Sequence, residues 1–276
     1  MTELNELKKY LSIFVNSSDG FEDCWIPFFT MFKKHWPNCE YKIYLNTEKK
    51  EFVFEGLNII STKVQKNENR KLTWSECLIK GLKAVDTPII LYFQEDYFIK
   101  SPVNTGLIED FVGIMLKMDH VKHIGLTPFG SKGGFKTTFD NRLWEIKQNA
   151  RYRISTQAGL WYKDVLESYL VPKESGWMFE INGTKRAKYK NDFFCTIKRD
   201  IYGKNKNVII DYILTGIVKG KWHPDIPSLF ELHGISIHYE KRGMLFTKSK
   251  MIDRINLFKK RFLFFLKNSF NSNEMS

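Results

Sequence analysis

Five consecutive apolar residues, Ile89-Ile90-Leu91-Tyr92-Phe93, run directly into Gln94-Glu95-Asp96, and this segment constrains the chain more than any other. A strand apolar on both faces must be covered on both, which is the habit of parallel sheets flanked by helices. The segments around it agree. Leu11 to Val15 reads as a short buried strand, Phe21 to His35 has helical spacing, and Tyr41 to Leu45 and Phe52 to Ile60 read as two further strands. Leu72 to Ala84 reads as a helix, Leu107 to Met118 as another, and His123 to Leu126 as a strand. Strands alternating with helices over short connections predict an α/β fold with a mostly parallel central sheet. In such sheets ligands gather beyond the carboxyl ends of the strands.

The second half is less regular. Gly130, Gly133 and Gly134 make Thr127 to Tyr152 a loop or hairpin. Arg153 to Gln157 then reads as a short strand, Lys163 to Leu170 and a stretch from Trp177 as helices, and Val208 to Leu214 and Ile235 to His238 as late strands. One domain over residues 1–242 with a tail over 243–276 is the economical division.

Aromatic residues are 15% of the 276, too many for a disordered chain. The longest apolar run near the C-terminus, Phe262 to Leu266, falls far short of the ~20 residues of a spanning helix. The first ten residues carry acidic groups and no apolar core of signal length, so a cytoplasmic location is expected. Cys24, Cys39, Cys77 and Cys195 form no CxxC pair and are expected as free buried thiols.

The formal charge of +12 is uneven: from Lys241 onward there are nine Lys/Arg against two acidic residues. At ~100° per residue, Met251, Ile252, Ile255, Phe258, Phe262, Phe265 and Leu266 share one helical face. Lys250, Arg254, Lys260, Arg261 and Lys267 share the other. Such a basic amphipathic helix suits an anionic membrane surface, which gives a peripheral association with the inner face of the cell membrane. Docking on the chain's own domain fits the same pattern, and nucleic acid fits it less well.

Four local constellations carry chemistry. Glu95 and Asp96 place two carboxylates side by side at a strand end, which suits Mg²⁺ or Mn²⁺ bridging a diphosphate, although a solvated strand end also looks like this. Asn16-Ser17-Ser18-Asp19 could read a base and ribose, or simply form a turn and cap a helix. Glu180 stands between Trp177, Phe179 and apolar neighbours that would desolvate a general base, or lies on an ordinary amphipathic helix. His238 on a late strand could complete a metal shell, or be structural.

Taken in order, the stretches Val15 to Pro37, Thr73 to Phe98, Ser155 to Leu166, Gly176 to Ala187, Gly216 to Trp222 and Gly234 to Gly243 resemble a bacterial GT-A type glycosyltransferase. More closely, they are similar to those of surface-polysaccharide and lipooligosaccharide biosynthesis clusters. The resemblance implies a Rossmann-like GT-A domain, a nucleotide-sugar donor (UDP by family habit) and Mn²⁺ or Mg²⁺ held through a DXD-type motif. Here that motif reads Gln94-Glu95-Asp96, with Gln at the first acidic position. Asp96 matches the metal ligand and Glu95 its neighbour on the ribose or a metal-bound water. Asn16 and Asp19 match the nucleotide loop, and Trp74 opens the helix leading to the metal strand. Glu180 matches the catalytic carboxylate of inverting members, and His238 the late histidine that reaches the metal. Lys185, Arg186, Lys219 and Lys221 become candidates for the diphosphate or for a glycan or polyprenyl-linked acceptor. Two rivals are a nucleic-acid-binding protein and a metal-dependent phosphoesterase using Glu95, Asp96 and His238. The first is disfavoured by charge concentrated in the tail, so no nucleic-acid partner is expected. The second is disfavoured by too few placed carboxylates and histidines.

Overall fold

The computed structural model describes residues 6–203 and 207–245. The chain divides into two compact units, 1–216 and 217–276. The first unit is built on a nine-stranded sheet in the order β3-β2-β1-β4-β8-β5-β9-β7-β6.

β1 (Leu11–Asn16), β2 (Ile43–Leu45), β3 (Ile59–Ser61) and β4 (Ile89–Gln94) are all parallel. β1 is buried at every residue and β4 at all but Gln94, as an unbroken apolar run requires. Helix α1 (Glu22–His35) starts with Glu22 and Asp23 and ends with Lys33, Lys34 and His35, matching its own dipole. It buries Trp25, Phe28, Phe29 and Phe32. Helix α2 (Trp74–Ala84) is opened by a capping box in which Thr73 and Glu76 satisfy each other's backbone amides. Helix α3 (Thr105–Lys117) is capped by the Asn104 side chain accepting from the Leu107 amide.

The remaining strands are β5 (Val121–Gly125), β6 (Phe135–Thr137), β7 (Leu143–Ile146), β8 (Gly159–Tyr162) and β9 (Phe193–Ile197). β8 is antiparallel to both β4 and β5, β5 and β9 are parallel, and β7 is antiparallel to β9 and β6. The expected α/β architecture is present, and its sheet is wholly parallel from β3 to β4 and mixed beyond. Short helices α4 (Lys163–Glu167) and α6 (Arg199–Tyr202) flank α5 (Gly176–Ala187), which is capped by Ser175 accepting from the Met178 amide.

Several expected strands do not form, and the reasons are physical. Of Phe52 to Ile60, only the end is β-structure. Phe52 instead places its ring on Phe29 at 5.4 Å and Trp25 at 5.5 Å. Arg153 to Gln157 is irregular, because the buried Arg153 guanidinium donates to the carbonyls of Ile146 and Asp192. Val208 to Leu214 makes one isolated bridge, Tyr212 with Ile99, while its carbonyls and amides serve the chain at 98–104.

In the second unit, β10 (Ile217–Val218) and β11 (Lys221–Trp222) form a hairpin. Its two-residue turn, Lys219-Gly220, has φ of 53° and 76° at the two positions, as the hairpin-favouring turn type demands. Helix α7 (Ile226–Leu232) follows, and Trp222 is buried between the rings of Phe230 and Tyr239 at 5.9 and 6.1 Å. Ile235 to His238 is not a strand; a single 3₁₀ turn covers Tyr239–Lys241. The basic amphipathic helix expected beyond Arg242 lies almost wholly outside the described residues.

Candidate functional site

The order β3-β2-β1-β4 creates a switch point. From β1 the chain moves outward to β2 and β3, then crosses through α2 to β4 on the other side of β1. Connections at the carboxyl ends of β1 and β4 therefore diverge and leave a crevice. Asn16 and Gln94 end these strands as register partners.

Asn16 is buried, and its side-chain carbonyl accepts from Asn46 Nδ2 at 3.0 Å. Asn46 in turn accepts from the Thr62 hydroxyl at 2.8 Å, so the ends of β1, β2 and β3 are tied together. Asp19 accepts three backbone amides, those of Glu48 at 2.9 Å, Lys49 at 2.9 Å and Lys50 at 3.2 Å. It thereby pins the loop after β2. That loop, with Gln65 and Glu68 to Lys71, lines an open cavity of about 340 Å³ beside Asp19.

Trp74 lies at the start of α2 and packs against Phe179 of α5 with ring centroids 5.7 Å apart. It thus joins the helix leading into β4 to the helix that carries Glu180. The cap beneath it is charged: Arg70 donates to Glu76 at 2.5 and 2.9 Å and holds that carboxyl down at about 2.

Beyond β4 the carboxylates of Glu95 and Asp96 are both buried. Asp96 Oδ2 accepts the Thr215 hydroxyl at 2.5 Å, and its carbonyl accepts the Gly216 amide at 2.9 Å. The close approach of 211–216 requires Gly216, since a Cβ there would stand 2.3 Å from the Phe98 ring. Tyr92 is buried two residues before Gln94, stacked on Phe14 at 6.4 Å. Its hydroxyl has Asn16 and Gln94 as polar neighbours but no hydrogen bond of normal geometry. Burial pushes that hydroxyl well above the ordinary tyrosine range, and the charges of Glu95 and Glu180 add to the shift.

Because β8 runs antiparallel to β4, the segment entering β8 lies beside the end of β4. That segment, Ser155-Thr156-Gln157-Ala158, receives Glu180. One oxygen, Oε1, accepts the Thr156 amide at 2.7 Å, the Thr156 hydroxyl at 2.9 Å and the Ser155 hydroxyl at 3.3 Å. None of these bonds uses Oε2. The apolar enclosure expected around Glu180 is only half present: Phe179 is buried in the core, whereas Trp177 is 69% exposed.

The structure therefore pairs Asn16 with Gln94 at adjacent strand ends, puts Glu95 and Asp96 directly beyond Gln94, and holds Glu180 on Thr156, whose carbonyl accepts the hydroxyl of Tyr97 next to Asp96. Asp19 stands at the loop on one flank and Trp74 at the helix junction. His238 is exposed in the second unit, just before the 3₁₀ turn. Arg186, a candidate for the diphosphate, is paired with Glu174 at 2.7 Å, whereas Lys185 is exposed. The four cysteines are buried thiols, as expected.

Among the described residues no group of three or more His, Cys, Asp and Glu side chains is arranged to hold a metal ion. Glu95 and Asp96 offer hard oxygen donors of the kind Mg²⁺ or Mn²⁺ takes. They suit an ion whose remaining ligands come from a diphosphate rather than from the protein.

Sequence reasoning assigned no role to Tyr92, Tyr97, Ser155, Thr156, Gln157 or Tyr212. Tyr92 and Tyr97 lie in and just after the strand that ends in Gln94-Glu95-Asp96, whereas the other four are brought in by tertiary contacts.

No family model and no curated protein matches the chain. Among solved structures it is similar to S. aureus TarS, with 14% identity and a TM-score of 0.48 over 84% of this chain and 41% of that one. A second TarS structure, of residues 1–349, gives 13% and 0.45 over 68% of this chain and 58% of that one. Glucosyl-3-phosphoglycerate synthase from Mycobacterium tuberculosis, in complex with Mn²⁺ and UDP-glucose, gives 10% and 0.45 over 85% and 83%. The chain thus spans less than two thirds of either TarS structure. At these values the likeness is one of chain path, and the functional reading rests on the site itself.

Proposed function

We propose that this chain is a GT-A type glycosyltransferase, moving a sugar from a nucleotide-sugar donor to a hydroxyl of a glycan or lipid-linked glycan. The supporting observation is the convergence of Asn16, Glu95, Asp96 and Glu180 at the switch point between β1 and β4. These residues come from three separate stretches of the chain. UDP is the favoured nucleotide by resemblance, and the cavity beside Asp19 suits its base and ribose.

Glu180 acts as the general base. Its Oε1 is saturated by three donors, so Oε2 is the oxygen available to accept the acceptor's hydroxyl proton. The acceptor oxygen then bonds to the anomeric carbon as the bond to the diphosphate breaks, inverting that centre. A divalent cation on Asp96 and Glu95 would supply charge neutralisation for the leaving diphosphate. The basic tail would bring the enzyme to an anionic inner-membrane surface where a polyprenyl-linked acceptor resides. No helix among the described residues is long and apolar enough to cross a membrane.

The test is a thermal-shift panel of UDP, GDP and CMP and their sugars, with and without Mn²⁺. A ligand at a hundredfold excess over Kd adds roughly 2.7 kcal/mol to the native state. One nucleotide class should raise the melting temperature, and Asp96→Ala should abolish the rise. Glu180→Gln should keep the rise while lowering turnover by roughly 10² to 10⁴. A folded protein that responds to no nucleotide refutes the proposal.

A further inference from the structure

The Glu180 carboxylate is held by a clamp that is itself fastened to the end of β4. Tyr97 directly follows Asp96 and stacks on Tyr212 at 4.6 Å with the rings 14° apart. Both rings are buried. Around this pair the three residues 156–158 are each anchored. The Tyr97 hydroxyl donates to the Thr156 carbonyl at 3.2 Å. The Gln157 side chain donates to Tyr97 at 3.1 Å and accepts from the Tyr212 hydroxyl at 2.8 Å. The Ala158 amide donates to the Tyr212 hydroxyl at 3.2 Å. Three residues beyond Tyr212, Thr215 donates to Asp96.

From this geometry we infer that Thr156 is a positioning residue for the Glu180 carboxylate, and that the Tyr97–Gln157–Tyr212 cluster keeps it in register with Asp96. The inference rests on the reading of Glu180 as the base. A carboxylate on an exposed helix turn has two rotatable bonds beyond its Cβ and would otherwise sample many positions. Two Thr156 donors on one oxygen fix its plane and aim Oε2. The cluster also ties the clamp to the donor end: Tyr97 follows Asp96 and Thr215 donates to it, while Gln157 belongs to the clamp and bonds both Tyr97 and Tyr212. A misplacement of about 1 Å at a reacting group costs on the order of a hundredfold in rate, so a clamp of this kind acts on kcat.

The experiment uses the full chain and follows UDP released from UDP-glucose, UDP-galactose and UDP-N-acetylglucosamine, with water or a sugar as acceptor. Thr156→Val keeps the shape and removes one donor, and should lower kcat about tenfold while the donor KM stays within about twofold. Thr156→Ser restores the hydroxyl and should recover most of the rate. In a Glu180→Gln background, Thr156→Val should have no further effect, because a positioning residue is coupled to the group it positions. Tyr212→Phe, which spares the clamp's own atoms, should repeat the kcat-only loss more weakly.

Losses that add independently in the double variant, or a Val variant as active as wild type beside an inactive Glu180→Gln, overturn the inference and leave the base assignment standing. An active Glu180→Gln, or no release from any donor by the wild type, overturns the base assignment and the clamp with it.

Discussion

From β3 to β4 the sheet is parallel, with β1, β2 and nearly all of β4 buried; from β8 to β6 it changes direction at most pairings and encloses polar groups. Phe14, Tyr44, Leu91 and Phe93 represent the first region, all buried. His123, Arg153, Thr196 and the Tyr97–Tyr212 pair represent the second, also buried. The first is held by volume filling; the second adds buried hydrogen-bonded groups, such as Arg153 on two carbonyls and His123 on Leu160, to an apolar core of Trp161 and Phe194. Glu95 and Asp96 belong to the first and the Glu180 clamp to the second, so the proposed site draws on both regions. Glu180, held by three donors on one oxygen, is the carboxylate on the hydrogen-bonded side of this boundary.

The comparison is broken most directly in the apolar region. Phe14 is fully buried beneath α2, stacked on Tyr92. Phe14→Ala is expected to cost about 3–5 kcal/mol in denaturant unfolding, the range for a large aromatic replaced by a cavity. A loss under about 1 kcal/mol would mean this region is not held by packing.

The polar region predicts a pH effect instead. Burial, helped by the Arg153 charge, pushes the His123 imidazole down to about 3, and its Nδ1 faces the Leu160 carbonyl at 2.8 Å. A carbonyl only accepts, so the neutral ring carries its proton on Nδ1. In the unfolded chain the ring titrates near 6.5. The unfolded state therefore binds the extra proton between about 6.5 and about 3, and stability is full above that window and falls as pH drops through it. The slope from this group is at most about 1.4 kcal/mol per pH unit. His123→Gln retains a donor and should flatten the slope measured from pH 7 to pH 4. An unchanged slope would show that this histidine is not buried neutral.

The smallest expected effect concerns the seam between the two regions. Thr73 caps α2 and also accepts the Lys173 amide at 3.3 Å, while Ser75 donates to the Glu174 carbonyl at 2.9 Å. Thr73→Ala should cost about 1 kcal/mol by thermal unfolding, as for other cap losses. A much larger loss would show that the seam, rather than the cap, is what Thr73 secures.

The two regions also differed in how far the sequence disclosed them. β1, α1, β4, α2 and α3 were legible because each has one period and one environment: all-apolar strands, or helices with one apolar face. Asn16 and the Glu95-Asp96 pair were legible for the same reason, since the end of an apolar strand marks a place in space. Beyond β5 this failed. Gly159-Leu160-Trp161-Tyr162 is a central strand whose antiparallel course nothing local announces. Gly159 is there because a Cβ would stand 2.8 Å from the His123 ring on the neighbouring strand. Phe193–Ile197 was missed likewise. Val208 to Leu214 has the alternation of a strand, but its buried residues are paired with irregular chain.

By itself the sequence determined the α/β class, the strand that ends in Glu95 and Asp96, and the helix that carries Glu180, because hydrophobic period and capping chemistry act within a few residues of the chain. Only the tertiary structure decided that β8 runs antiparallel beside β4, that Ser155 and Thr156 thereby meet Glu180, and that Tyr97, Gln157 and Tyr212 hold them. Those hydrogen bonds join residues some sixty positions apart in sequence, and no local pattern encodes which distant donor will satisfy a buried acceptor.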